Sequence, residues 1–144
     1  MQLAMNASSP TIGTFQREKG NAFTEGLILA WLAYLNGMLN LNKPMSDDQI
    51  ELCAAEITQD YYFLKFSDLT LLFKNIISGK YGEFYESLSI AKVLSFFREY
   101  TEERFEIASS QSQRVHNDTK SYDEFNMSNN VKRLYKGISK HTSK

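Results

Sequence analysis

Apolar residues recur along this chain at helical rather than strand spacing. Leu69, Leu72, Phe73 and Ile76 fall at i, i+3, i+4 and i+7, a stripe down one face of a helix. Ile50, Cys53, Ala54 and Ile57 keep the same rhythm, as do Ile90, Val93, Leu94, Phe97 and Tyr100, and near the C terminus Val131, Leu134, Tyr135 and Ile138. No pair of alternating runs of comparable strength accompanies them. The expected fold class is therefore all-α, a compact bundle of about four to five helices.

The punctuation between these stripes places the elements. A first helix is expected over Phe23–Asn40, where Leu27, Ile28, Leu29, Ala30, Trp31, Leu32, Ala33, Tyr34, Leu35, Met38 and Leu39 cover almost the whole circumference. A helix apolar all round is one surrounded by partners: either the central core helix, with Trp31 and Phe73 as core residues, or one with a face that makes a dimer contact. Pro44 stops it, and Ser46-Asp47-Asp48-Gln49 reads as a capping box with acidic residues in the first turn of a second helix that ends near Asp60. Tyr61-Tyr62-Phe63-Leu64 is a dense apolar connector expected to be buried between helices. Ser67 is placed to cap a third helix over Asp68–Ser78, and Gly79 sits where a left-handed residue ends it. The loop Lys80-Tyr81-Gly82-Glu83-Phe84-Tyr85 follows, and a fourth helix starts after Ser89.

The two ends read differently from this body. Residues 1–21 are polar, with Ser8-Ser9-Pro10, and read as an arm with room for a short helix over Thr14–Lys19. The body then spans residues 22–108. From Ala108 to Ser121 the polar run Ser109-Ser110-Gln111-Ser112-Gln113 reads as a linker or a fraying helix. Beyond it, Asn129–Lys140 forms a short basic amphipathic tail helix, so residues 109–144 are a polar linker plus basic tail.

Charge sharpens that division. The net charge of −1 conceals 9 Lys/Arg against 14 Asp/Glu in residues 1–108, and 7 against 3 in residues 109–144. An acidic body with a basic tail points to a tail that meets nucleic acid or an acidic protein surface, or to a solvated tail of the ordinary kind. At 144 residues the chain is long enough to bury a core without disulfides or metal. Cys53 is the single cysteine, which excludes an internal disulfide and fits a reducing, cytoplasmic compartment. The longest apolar run, Leu27 to Leu35, is about half the ~20 residues that a bilayer needs, and Met1 to Pro10 lacks the apolar centre of a signal peptide. No membrane partner is expected.

No phosphate loop, dinucleotide fingerprint, nucleophile elbow or zinc-protease motif is present. Asp47, Asp48 and Glu51 read as first-turn acids rather than a cation site, Cys53 reads as core, and His116 and His141 lie in the polar C-terminal part. The chain therefore reads as non-enzymatic, with no cofactor and no metal. Two working surfaces remain. Lys80, Tyr81 and Tyr85 set rings beside a cation, as in surfaces that stack single-stranded nucleic acid; the simpler reading is that these rings plug the gap between helices. Lys132, Arg133, Tyr135 and Lys136 on the tail helix suit docking into a groove on a partner bundle or folding back on the body.

The segments Pro44-Met45-Ser46-Asp47-Asp48-Gln49-Ile50, Leu64-Lys65-Phe66-Ser67-Asp68-Leu69, Ser78-Gly79-Lys80-Tyr81-Gly82 and Tyr100-Thr101-Glu102-Glu103-Arg104 resemble a family of small helical proteins carried by phages, prophages and mobile elements of Bacteroidota-type bacteria. The resemblance covers roughly residues 20–106. The layout is also similar to phage helicase loaders that lack an ATPase domain, in which a compact helical body precedes a C-terminal segment that engages the replicative helicase. The resemblance implies an accessory role at a DNA replication complex in the bacterial host's cytoplasm, with a protein partner and single-stranded DNA as a further contact. The alternative is a structural or virion-associated interaction protein that packs as a homo-oligomer or with an assembly partner. A helix-turn-helix DNA-binding regulator ranks third, because the connection from Ser78 to Ser89 is long and its second helix offers only Lys92 and Arg98.

Overall fold

Short polar groups receive otherwise orphaned N–H groups at the starts of several helices in this chain. A computed structural model describes residues 1–82 and 86–141, with the backbone alone for Tyr135 and residues 137–141. Its helices are α1 (Gln2–Asn6), α2 (Ile12–Lys19), α3 (Asn21–Met38), α4 (Asp47–Asp60), α5 (Phe66–Ile77) and α6 (Ile90–His141). The fold is all-α, and the only β-type pairings among the described residues are two isolated bridges, Thr11 with Lys65 and Lys43 with Ser87.

The caps show how local sequence fixes these bounds. Gln49 N–H donates to Ser46 Oγ at 3.3 Å and Ser46 N–H donates to Gln49 Oε1 at 3.0 Å, the expected reciprocal box. Ser89 Oγ accepts from Lys92 N–H at 3.2 Å at the start of α6. At the end of α5, Gly79 has φ +80°. Its N–H donates to Ile76 O at 3.1 Å and Lys80 N–H donates to Asn75 O at 3.0 Å, the two bonds of a glycine-closed C terminus. Gly79→Ala should therefore destabilise by about 1 kcal/mol in a denaturant titration, since a Cβ disfavours that backbone region. An unchanged midpoint would show that the loop relaxes freely.

Ser67 is a correction. It lies inside the first turn of α5, and the cap is supplied from the other direction: Lys65 N–H donates to the Asp68 carboxylate at 2.9 Å. The Ser67 hydroxyl is occupied elsewhere, donating to Ala4 O at 2.7 Å. Lys65 Nζ donates to Met5 O at 2.6 Å and Ala7 O at 2.8 Å. Together they bind the carbonyl groups at the end of α1, which buries no residue of its own.

The chain divides into two compact units, Met1–Arg104 and Phe105–Lys144. In the first, Ile28, Leu32 and Leu35 of α3, Ile50, Cys53 and Ile57 of α4, Leu69, Leu72 and Ile76 of α5, and Val93, Phe96, Phe97 and Tyr100 of α6 close around one core. Where the polar sequence of residues 1–21 suggests an arm, two helices form and Ile12 is wholly buried. The reason is backbone pairing: Ile12 N–H donates to Leu64 O at 2.8 Å, Gly13 N–H to Tyr62 O at 2.8 Å, and Phe66 N–H to Pro10 O at 3.1 Å. The connector Tyr61–Leu64 is thereby fastened, with Leu64 buried but Tyr62 exposed. Asn36 performs a similar service between α3 and α4, donating to Met45 O at 3.0 Å and accepting from Met45 N–H at 2.9 Å.

The second unit is helical through His141. Residues 108–121, read from sequence as a linker or fraying segment, and 129–140, read as a separate tail helix, both belong to α6. Helical hydrogen bonds are local, and Gln111, Gln113 and Arg114 are good helix formers, so a helix there needs no apolar face to propagate.

Candidate functional site

Three places in the molecule carry features beyond simple packing. The first is a groove between α3 and α5 with a volume of about 550 Å³, lined by Trp31, Tyr34, Thr70, Phe73, Lys74, Ile77 and Ser78. Its floor is aromatic: the Trp31 and Phe73 rings meet edge to face at 5.2 Å and 73°. Phe73 is a core residue as the sequence suggests, whereas Trp31 is half-buried and forms part of the groove wall. Lys74 is the single charged residue in the lining. Nor is α3 surrounded on all sides; Ala30, Ala33, Tyr34, Gly37 and Met38 face outward. An apolar circumference says that no side of the helix prefers water, but it does not say how many sides are covered.

The second is the loop after Gly79. Lys80 Nζ pairs with Glu103 Oε2 at 2.7 Å, and that bond raises the pKa of the ammonium. The ammonium also lies 5.7 Å from the centre of the Tyr81 ring. Tyr81 stacks on Phe96, centroids 5.4 Å apart and planes at 29°, and burial raises its phenol pKa against the opposing effect of Asn75 and Lys80. The ring is half-buried and fills the space over α6. Tyr85 lies outside the described residues. The geometry thus brings Lys80 and Tyr81 together but gives both of them partners within the body.

The third is the C-terminal unit, where Lys132, Arg133 and Lys136 are exposed on α6. Tyr135 is placed there by its backbone. Phe105, Val115, Tyr122, Phe125, Met127, Val131 and Leu134 are exposed as well.

The chain matches no family model, no curated protein and no solved structure. What it can do is therefore read from its own chemistry. Among the described residues no group of three or more His, Cys, Asp and Glu is arranged to hold a metal ion, and no helix is long and apolar enough to cross a membrane.

One buried polar cluster escapes sequence reasoning. Asp68 is wholly buried. It accepts from Tyr100 Oη at 2.8 Å, from Arg104 Nε at 3.2 Å and from Lys65 N–H. Burial, and then the bond to Asp68, push the Tyr100 phenol well above its ordinary pKa. All three partners are donors converging on one carboxylate. The cluster is a structural clamp between α5 and α6. An acidic residue within an otherwise apolar stripe, Asp68 beside Leu69 and Leu72, is the only sequence signal of it.

Cys53 is chemically quiet for a related reason. Burial, with Glu56 adding to it, pushes the thiol pKa up to about 12, so neither nucleophile nor metal ligand is available at neutral pH. The raised folded-state value means that the unfolded chain loses this proton first as pH rises. The contribution of Cys53 to stability is thus intact below pH 9 and is lost between about pH 9 and 12. Melting temperatures measured from pH 7 to 11 should decline above 9, and Cys53→Ala should flatten that decline. An equal decline in both proteins would place the alkaline sensitivity on the tyrosines.

Proposed function

We propose that this chain is a non-enzymatic accessory protein that acts by protein–protein contacts, with the C-terminal part of α6 as the element that engages its partner. The observation that carries this reading is the seven large apolar side chains, from Phe105 to Leu134, exposed on one helical segment. A solvated helix has no use for them, whereas a helix that docks into an apolar groove does. The cations beside them fit an acidic partner surface: after Glu124 the sequence contains Lys132, Arg133, Lys136, Lys140 and Lys144 and no Asp or Glu.

A compact helical body followed by a basic helical segment supports a helicase-loader-like role at a DNA replication complex, with the replicative helicase as partner and a phage or mobile element as source. The same run of cations favours a second contact, with single-stranded DNA. The two contacts respond differently to substitution. Lys132→Glu with Arg133→Glu should weaken partner capture about tenfold near 0.15 M salt and less at higher salt, because rim charges are screened. Val131→Asp with Leu134→Asp should abolish capture at any salt. Both variants should keep the parent melting temperature. Loss of single-strand binding in the charge variant alone, with a reduced salt slope, would assign the cations to nucleic acid. Capture unaffected by both variants would remove α6 from the function.

A further inference from the structure

The outward face of α3 has a composition that exposure to water does not explain. From Gly26 to Asn42 the sequence has no charged residue, although Ala30, Ala33, Tyr34, Gly37 and Met38 all face outward. Solvent-facing helical surface normally carries charge. Phe23, Tyr34, Met38 and, on α5, Ile77 are 62, 63, 52 and 44 % exposed. At 150–250 Å² for an aromatic side chain these four present on the order of 450 Å². With Trp31 and the small residues between them, the face approaches the roughly 800 Å² that each partner contributes to a standard interface.

We infer that this face is a homodimer interface, covered by the same face of a second copy of the chain. Charge argues against the basic C-terminal segment as the occupant. Lys74 is the one charge at the groove, so the basic C-terminal segment, with Lys132, Arg133 and Lys136, would meet a cation and find no anion. The α3 side of the face, uncharged from Gly26 to Asn42, is complementary to itself. Shape points the same way, because a two-fold interface must carry its projections and its recess on one patch. Here Tyr34 and Met38 project beside the groove floored by Trp31 and Phe73.

Register supplies the orientation. Gly26, Ala30, Ala33 and Gly37 stand at i, i+4, i+7 and i+11, a spacing that reads the same in both directions. A two-fold axis between Trp31 and Leu32 of antiparallel α3 helices sets Gly26 of one copy against Gly37 of the other, and Ala30 against Ala33. A Cβ built at Gly26 or Gly37 meets nothing within 4 Å, so none of the described residues of the same chain occupies that space. Small side chains along the line of contact bring the two helix axes to the short end of the usual 8–10 Å separation. The apolar side chains flanking that line then close over it.

The test is sedimentation velocity on the full chain from about 1 to 100 µM, a range that resolves micromolar dissociation constants. The expected result is a concentration-dependent species of twice the 16.6 kDa chain mass. Ala33→Glu should raise the dimer dissociation constant by about 100-fold or more, since it buries unpaired carboxylates against an uncharged face. Its circular dichroism should match the parent, and so should its melting temperature at a concentration where the parent is monomeric, because Ala33 is exposed in the single chain. A second measurement reads the register: chains carrying Ala30→Cys mixed with chains carrying Ala33→Cys should form the intermolecular disulfide faster than either alone, because only the mixed pair sets the two cysteines opposite each other. Monomer throughout the concentration range, a dimer indifferent to Ala33→Glu, or equal cross-linking rates would overturn the inference. So would a dimer dissociated by Val131→Asp with Leu134→Asp, which would place the contact on α6.

Discussion

Asp68→Ala should destabilise the protein by about 3–5 kcal/mol, the range for removing one member of a buried charge pair. Three donors would lose their acceptor together: the Tyr100 hydroxyl, the Arg104 guanidinium and the Lys65 backbone N–H. They are not equally able to recover. The Arg104 side chain retains 14 % exposure and reaches water by a small movement, whereas Tyr100 is wholly buried and its hydroxyl has no such exit. Asp68→Asn should cost less, about 1–2 kcal/mol. Its carbonyl oxygen can still accept from Lys65 and Arg104, and its amide can donate to the Tyr100 oxygen once that hydroxyl turns. Chemical denaturation of the two variants decides the matter. Equal losses would show that charge, not the count of satisfied donors, holds α5 to α6.

Phe73→Ala should cost about 3 kcal/mol, the lower end of the range for phenylalanine truncation. The ring is 9 % exposed and forms the groove floor against Trp31. Because the groove already opens to solvent, the space left by the ring is one that water enters and neighbours relax into, which keeps the cost below that of a sealed cavity. Trp31→Ala should cost less than Phe73→Ala, since the indole is already partly exposed. If Trp31→Ala proves the more damaging of the two, the indole is the keystone of the α3–α5 contact and the groove is a by-product of its packing. Thermal melts of both variants, at one protein concentration low enough to keep the chain monomeric, make the comparison.

Particular residues show why some of this was readable and some was not. The capping box at Ser46 and the glycine stop at Gly79 were legible because their hydrogen bonds join residues at most five apart. The Asp68 clamp was not, because its partners Tyr100 and Arg104 stand 32 and 36 residues away, and nothing in a helical stripe says which acid will turn inward. Ser67 satisfied the local rule for a cap, yet its hydroxyl serves Ala4, 63 residues away. The local rule gave way to a tertiary bond that ties down α1. Ile12 stands alone in a polar segment and so offers no periodicity at all. It is buried because the connector around Leu64 presents backbone carbonyls to pair with it.

The groove and the outward face of α3 mark the same boundary between local and tertiary information. By itself the sequence determined the all-α class, the start and stop of α4, the glycine stop of α5, the absence of charge from Gly26 to Asn42 and the cationic end of α6, because each of these depends on residues within a few turns of one another. Only the tertiary structure decided which side of α3 stays open, that residues 1–21 contribute to the core, and that Asp68 is sealed beneath Tyr100. Those outcomes depend on which helices meet, and that is settled by burial summed over the whole unit rather than by any pattern within a single helix.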